Sequence, residues 1–113
     1  MKITDYSLQF GKKLFVIDTN KIIFQIALQD ISHIIQKNEE TIIISNDWEK
    51  IYTTKSLNDF YENLKKFDFI KINDKAIVNK QNIYRFDHAK NKTITMKNME
   101  IFKIKNYQFD LNY

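Results

Sequence analysis

The sequence predicts a mainly β domain of short strands interrupted by one short α-helix at about residues 57–67. Three observations carry this reading. Short runs rich in Ile, Phe, Tyr and Thr recur along the chain between polar clusters of the kind that make turns. A single stretch, 57–67, repeats bulky apolar residues at helical spacing. The length of 113 residues, 43% hydrophobic and 14% aromatic, suits one domain with a sizeable core and is too short for two. The domain is therefore expected to span 1–113.

In chain order, residues 12–17 and 21–27 are two β-propensity runs joined by Asp18-Thr19-Asn20, which predicts a hairpin. Residues 29–36 and the isoleucine run 41–45 are the next strands, separated by the polar loop Lys37-Asn38-Glu39-Glu40. Residues 50–54 pair back across Asn46-Asp47-Trp48-Glu49. Ser56 is suited to cap the helix, because its hydroxyl can accept an orphan backbone N–H, and Asp59 stands three positions on. Leu57, Phe60, Tyr61, Leu64 and Phe67 form its apolar stripe, and Lys65 and Lys66 complement the negative end of its dipole. Residues 69–72, 76–78, 82–86, 93–96 and 101–104 then return to the two-residue period of strands. With one Gly and no Pro, the turns are expected to use Asn and Asp, which tolerate left-handed backbone.

Several function classes fall away. No apolar run approaches the roughly 20 residues of a membrane span, and the opening MKITDYSLQF lacks the apolar core of a secretory signal. Without cysteine there are no disulfides and no thiolate metal sites. A cytoplasmic protein is the expectation. His33 and His88 are not in metal-ligand spacing, and no nucleophile elbow, P-loop or Rossmann glycine motif occurs, so an enzyme, a cofactor and a metal are not expected. Asp87-His88 is read as an exposed turn, and His33 as a partly buried side chain with one hydrogen-bond partner.

Charge is unevenly placed. Residues 1–56 carry seven acids and seven bases, whereas residues 71–105 carry nine bases against three acids, so the net +4 belongs to the part that begins at the helix. That asymmetry fits a nucleic-acid binder, because neutralising phosphates releases counterions. A lysine-rich solvated face shaped by codon bias explains the same numbers.

The run from Ser56-Leu57 through the helix to Phe69-Ile70-Lys71-Ile72-Asn73-Asp74-Lys75-Ala76-Ile77-Val78-Asn79-Lys80-Gln81-Asn82-Ile83 resembles the diagnostic region of the LytTR DNA-binding domain family. Asp30-Ile31-Ser32-His33-Ile34 and Ile101-Phe102-Lys103-Ile104-Lys105 are similar to two further strands of that family, so the resemblance runs from about residue 12 to 106. It implies an elongated fold of short antiparallel β-strands with one helix, its core at about 12–106, whose loops enter successive major grooves of double-stranded DNA, in a transcriptional regulator. Family members usually follow a receiver domain or membrane segment, and this chain reads as a stand-alone, divergent member.

The resemblance implies DNA contact from the loop before the strand 41–45, from the turn after strand 69–72 and from the end of the last strand. Here those places hold Lys37 and Thr41, then Asn73, Asp74 and Lys75, then Lys103 and Lys105. Asn73, Asp74 and Lys75 replace the family's usual His, Arg or Asn, and Ser. Phosphate positioning is assigned to Lys71, Lys75, Lys80 and Lys105, and base reading to Asn73, Thr41 and Lys103. Asp74, Glu39 and Glu40 would repel the backbone unless they accept from cytosine N4 or turn away. Asn79 has a structural alternative, an amide that closes a turn, and Lys103 and Lys105 have that of a solvated strand face. Binding as a homodimer, or in pairs on repeated half-sites, is compatible with this reading. The rival function is a non-catalytic protein–protein module on the same scaffold, with Trp48, Tyr52 and Tyr107 as aromatic anchors and DNA binding lost to the acidic loops.

Overall fold

The structure is a computed structural model that describes residues 12–87 and 92–104. Its strands are β1 (Lys13–Ile17), β2 (Ile23–Ala27), β3 (Ile31–Lys37), β4 (Glu40–Ser45), β5 (Lys50–Thr53), β6 (Phe69–Asn73), β7 (Ala76–Asn79), β8 (Ile83–Asp87), β9 (Thr93–Met96) and β10 (Ile101–Lys103). One helix, α1 (Leu57–Leu64), lies between β5 and β6. The chain is elongated, 44 × 30 × 24 Å along its principal axes.

All pairings among the described residues are antiparallel. β1 and β2 form a hairpin, β10-β9-β8 a three-stranded sheet, and β5-β4-β3-β7-β6 a central sheet of five. The central sheet is covered on both faces. On one, Ile34, Ile43, Ile51 and Ile77 pack with Leu57, Phe60 and Leu64 of α1 and with Leu14 and Val16 of the hairpin. On the other, Ile72, Ala76 and Val78 pack with Ile94 and Met96 of the three-stranded sheet, with Phe86 and Phe102 against them. A strand buried on both faces reads as a continuous apolar run rather than an alternation, which is why Ile42-Ile43-Ile44 are consecutive isoleucines. In β3 the register shifts between Ile31 and His33. This bulge places Ile31 and Ile34, an odd number of residues apart, in the same core beneath α1.

The helix forms for the local reasons expected. Ser56 is its N-cap and accepts the Asp59 N–H at 3.1 Å, and Leu57, Phe60 and Leu64 are buried. The α-helix is shorter than 57–67: from Lys65 to Phe67 the chain tightens into a 3-10 turn, closed by Asp68 in the left-handed conformation, φ 64°. That tightening leaves Phe67 half-buried against the core.

Two other differences have one cause. Residues 28–30 and 80–82 are 3-10 turns, so residues 29, 30 and 82 are not strand as expected. Buried Asn79 donates its amide to the carbonyls of Leu28 and Ile31 at 3.0 Å, and buried Asn82 donates to those of Gln29 and Ile31 at 2.8 and 2.7 Å. The two turns are thus held together by side chains instead of a backbone ladder. The turn-closing alternative for Asn79 is the observed one, since its Oδ1 also accepts the Gln81 N–H at 3.1 Å.

The expected use of Asn and Asp in turns holds by a different mechanism. Of the seven described non-glycine residues with positive φ, only Asn38 and Asp68 are of these types, the others being Lys12, Lys21, Trp48, Lys92 and Met99. Asp18, Asn73 and Asn98 instead accept N–H groups two residues on, at 2.8–3.1 Å, closing turns from outside the left-handed position.

Candidate nucleic-acid interface

Because β3 is antiparallel to both β4 and β7, the β3–β4 turn and the β6–β7 turn emerge at the same end of the central sheet. A backbone hydrogen bond from Gln36 N–H to the Lys75 carbonyl, 2.9 Å, ties them side by side. This edge gathers Lys37, Asn73, Asp74 and Lys75, all exposed. Asn38 makes the first turn in the left-handed conformation, φ 58°. Asn73 Oδ1 accepts the Lys75 N–H at 2.8 Å, so this amide shapes the second turn as well as lining the edge. Glu39 and Glu40 share the surface, which therefore alternates two ammonium groups with three carboxylates.

The remaining expected contacts do not gather there. Thr41 is 3% exposed and shares the face of Ile43, which packs beneath α1; the base-reading role expected for it is corrected, because the register turns its hydroxyl inward. Lys71 faces the helix side, its Nζ 5.9 Å from the centre of the Tyr61 ring. Lys80 is beyond the opposite end of β7, its N–H bonded to the Asp68 carbonyl at 2.8 Å. Lys103 belongs to β10, and Lys105 and Tyr107 lie outside the described residues, as does His88.

Inward Ile94 and Met96 fix the faces of the three-stranded sheet and turn Thr93 and Thr95 outward. Across the strands, Lys103 opposes Thr93, which opposes Asp87, while Thr95 opposes Arg85 and Ile101. Arg85 thus shares an exposed face with Lys103, a neighbour absent from the residues nominated by sequence. The signal was available, since Phe86 points inward and strand alternation turns Arg85 out. Arg85 is 4.0 Å from Asp87.

His33 is 1% exposed, more deeply buried than expected. Its Nδ1 is 2.8 Å from Ser32 Oγ, and its ring meets Phe102 edge-on at 4.9 Å and Trp48 at 6.4 Å. Burial lowers its pKa to about 4, so it is a neutral wedge between the two sheets at neutral pH. Trp48, 46% exposed, donates Nε1–H to the Asn98 carbonyl at 3.1 Å, joining the β4–β5 and β9–β10 turns. Among the described residues no group of three or more His, Asp or Glu side chains is arranged to hold a metal ion, and no helix is long and apolar enough to cross a membrane.

Among the described residues, three antiparallel sheets, one capped helix and two loops presented at a common end make a mainly β domain. The family model for the LytTr DNA-binding domain matches residues 12–108, and the chain belongs to that family. Among solved structures it is similar to the LytTr DNA-binding domain of a Bacillus cereus protein described as a putative methyl-accepting/DNA response regulator. The identity is 19%, the TM-score 0.68, and the match covers 82% of this chain and 85% of that one. That likeness shows the shared fold. No curated protein matches the chain.

Proposed function

We propose that this domain binds double-stranded DNA in a sequence-dependent manner and regulates transcription, acting by binding rather than catalysis. The observation that carries the reading, beside family membership, is the Gln36–Lys75 hydrogen bond, which couples the β3–β4 and β6–β7 turns into one edge able to meet a groove. Lys37 and Lys75 contact phosphates, Asn73 offers its free amide to base edges, and Lys103 with Arg85 meets the backbone alongside. Lys71, Lys80 and Lys105 contribute longer-range charge. Asp74, Glu39 and Glu40 act as filters, accepting from cytosine N4 or weakening poorly matched sites. Such a domain works in the cytoplasm, and pairing on repeated half-sites would supply the affinity that its mixed charge withholds.

Binding of labelled genomic fragments at two salt concentrations tests this. Removing one phosphate-neutralising side chain lowers the salt slope by about 0.9, so Lys75→Ala and Lys37→Ala should each reduce it by about one unit. The acidic edge also favours the second reading, a protein-contact module using exposed Trp48 and Tyr52. Absence of any salt-dependent binding would decide for that module.

A further inference from the structure

At the end of the domain opposite the two turns, a cleft of about 730 Å³ opens between the start of β1, the turn that follows β2 and the residues that follow α1. We propose that it binds a small organic anion with a flat apolar body, a phosphate ester or carboxylate on an aromatic frame. Its size is within the range of small-molecule sites, roughly 300–1,000 Å³.

The charge of the lining sets the sign of the ligand. Lys12 and Lys13 come from the β1 side and Lys66 from the far wall. Among the described residues none of the three is salt-bridged. Among the described residues Asp68 is the one carboxylate lining the cleft, and its Oδ2 accepts the Gln81 Nε2–H at 2.7 Å. Three lysines against one hydrogen-bonded carboxylate make the described lining net positive, which favours an anion over a cation.

The floor sets the shape. Leu28 and Phe69 are buried there, and Phe67 is half-buried with the Lys66 ammonium 5.5 Å from its ring centre. A charged head can thus sit at the rim while a flat body lies against half-buried Phe67, which is backed by Leu28 and Phe69. The walls are held in place: Asn79 fixes the Leu28 carbonyl, and Lys12 and Asp68 are both left-handed, φ 65° and 64°, a conformation unfavourable for residues with a Cβ. The five residues of β6 separate Phe69 at the cleft from Asn73 at the other edge, about 14 Å at strand spacing. Occupancy is therefore sterically compatible with a duplex at the far end.

The test uses the full chain and three probes, 1-naphthyl phosphate, 1-naphthol and inorganic phosphate, followed by backbone amide chemical shifts. Saturable one-to-one shifts are expected for 1-naphthyl phosphate, concentrated at Leu28, Gln29, Phe67 and Phe69. Either half of the ligand alone should bind at least about tenfold more weakly. The Lys13→Ala/Lys66→Ala double variant should also lose about tenfold, since each partly screened ion pair contributes a few-fold. Both lysines are exposed, so an unchanged thermal midpoint will confirm that the variant is folded. Unsaturable shifts, equal binding of 1-naphthol, an unaffected double variant, or displacement of the probe by duplex DNA would each overturn the proposal.

Discussion

Replacing Asn79 should expose how far one buried amide holds the two halves of the central sheet together. It is 2% exposed and makes three hydrogen bonds, donating to the carbonyls of Leu28 and Ile31 and accepting from Gln81 N–H. Both carbonyls retain another partner in Asn79→Ala: Leu28 O keeps the Ile31 N–H, and Ile31 O keeps the Asn82 amide at 2.7 Å. The loss is therefore near the net value of a hydrogen bond, about 1 kcal/mol each, or about 3 kcal/mol in total. For a domain of this size that is about 12 °C or more in the thermal midpoint. Asn79→Asp separates donor from acceptor. It keeps the acceptor for Gln81 but points a buried carboxylate at two carbonyl oxygens, so at pH 7 it should be more destabilising than alanine. Urea unfolding at 25 °C of the three proteins reads the order directly. If Asn79→Asp matches the parent protein, the amide is not a donor and the coupling of residues 28–31 to 79–82 arises elsewhere.

His33 makes stability pH-dependent. Its folded pKa of about 4 is below the ordinary 6.5, so the unfolded chain binds the extra proton between these values. Stability is complete well above pH 6.5 and falls as pH drops towards 4, by about 1.6 kcal/mol between pH 6.5 and 5. His33→Gln should flatten that part of the profile in urea unfolding, and an unchanged slope would refute the assignment. Trp48, the chain's single tryptophan, has its ring 6.4 Å from His33. Its fluorescence in the folded protein should change with a midpoint near pH 4, and a midpoint near 6.5 would contradict burial of the histidine. Lys21 is left-handed, φ 67°, at the tip of the hairpin, and Lys21→Asn should raise stability by about 0.5–1 kcal/mol in thermal unfolding. In the same turn Asp18 Oδ1 accepts N–H groups of Asn20 and Ile22 at 2.9 and 2.8 Å, so Asp18→Ala should lower stability by about 1–2 kcal/mol.

Features governed by neighbours in the chain are legible in the sequence. Ser56 caps α1 because the acceptor and the orphan N–H are three residues apart, and Leu57, Phe60 and Leu64 share a face through helical periodicity alone. The β1–β2 hairpin follows from two β-propensity runs and an aspartate that can close the turn between them. The interface is legible only as far as its loops. Lys37 and Lys75 can be nominated from the chain, but their meeting depends on β3 pairing with β7, some forty residues away. Thr41 differs from expectation because a threonine beside a polar loop looks the same whether register turns it in or out.

By itself, then, the sequence determined a β-rich domain with one helix at a set place, the turns between adjacent strands and the family, because short-range periodicity and side chain-to-backbone bonding are written in consecutive residues. The tertiary structure alone decided which strands are central, which lysines share an edge, and that Asn79 and Asn82 link turns 48 to 53 residues apart. Those outcomes come from burying the central sheet on both faces, and burial acts among residues that the chain order keeps apart.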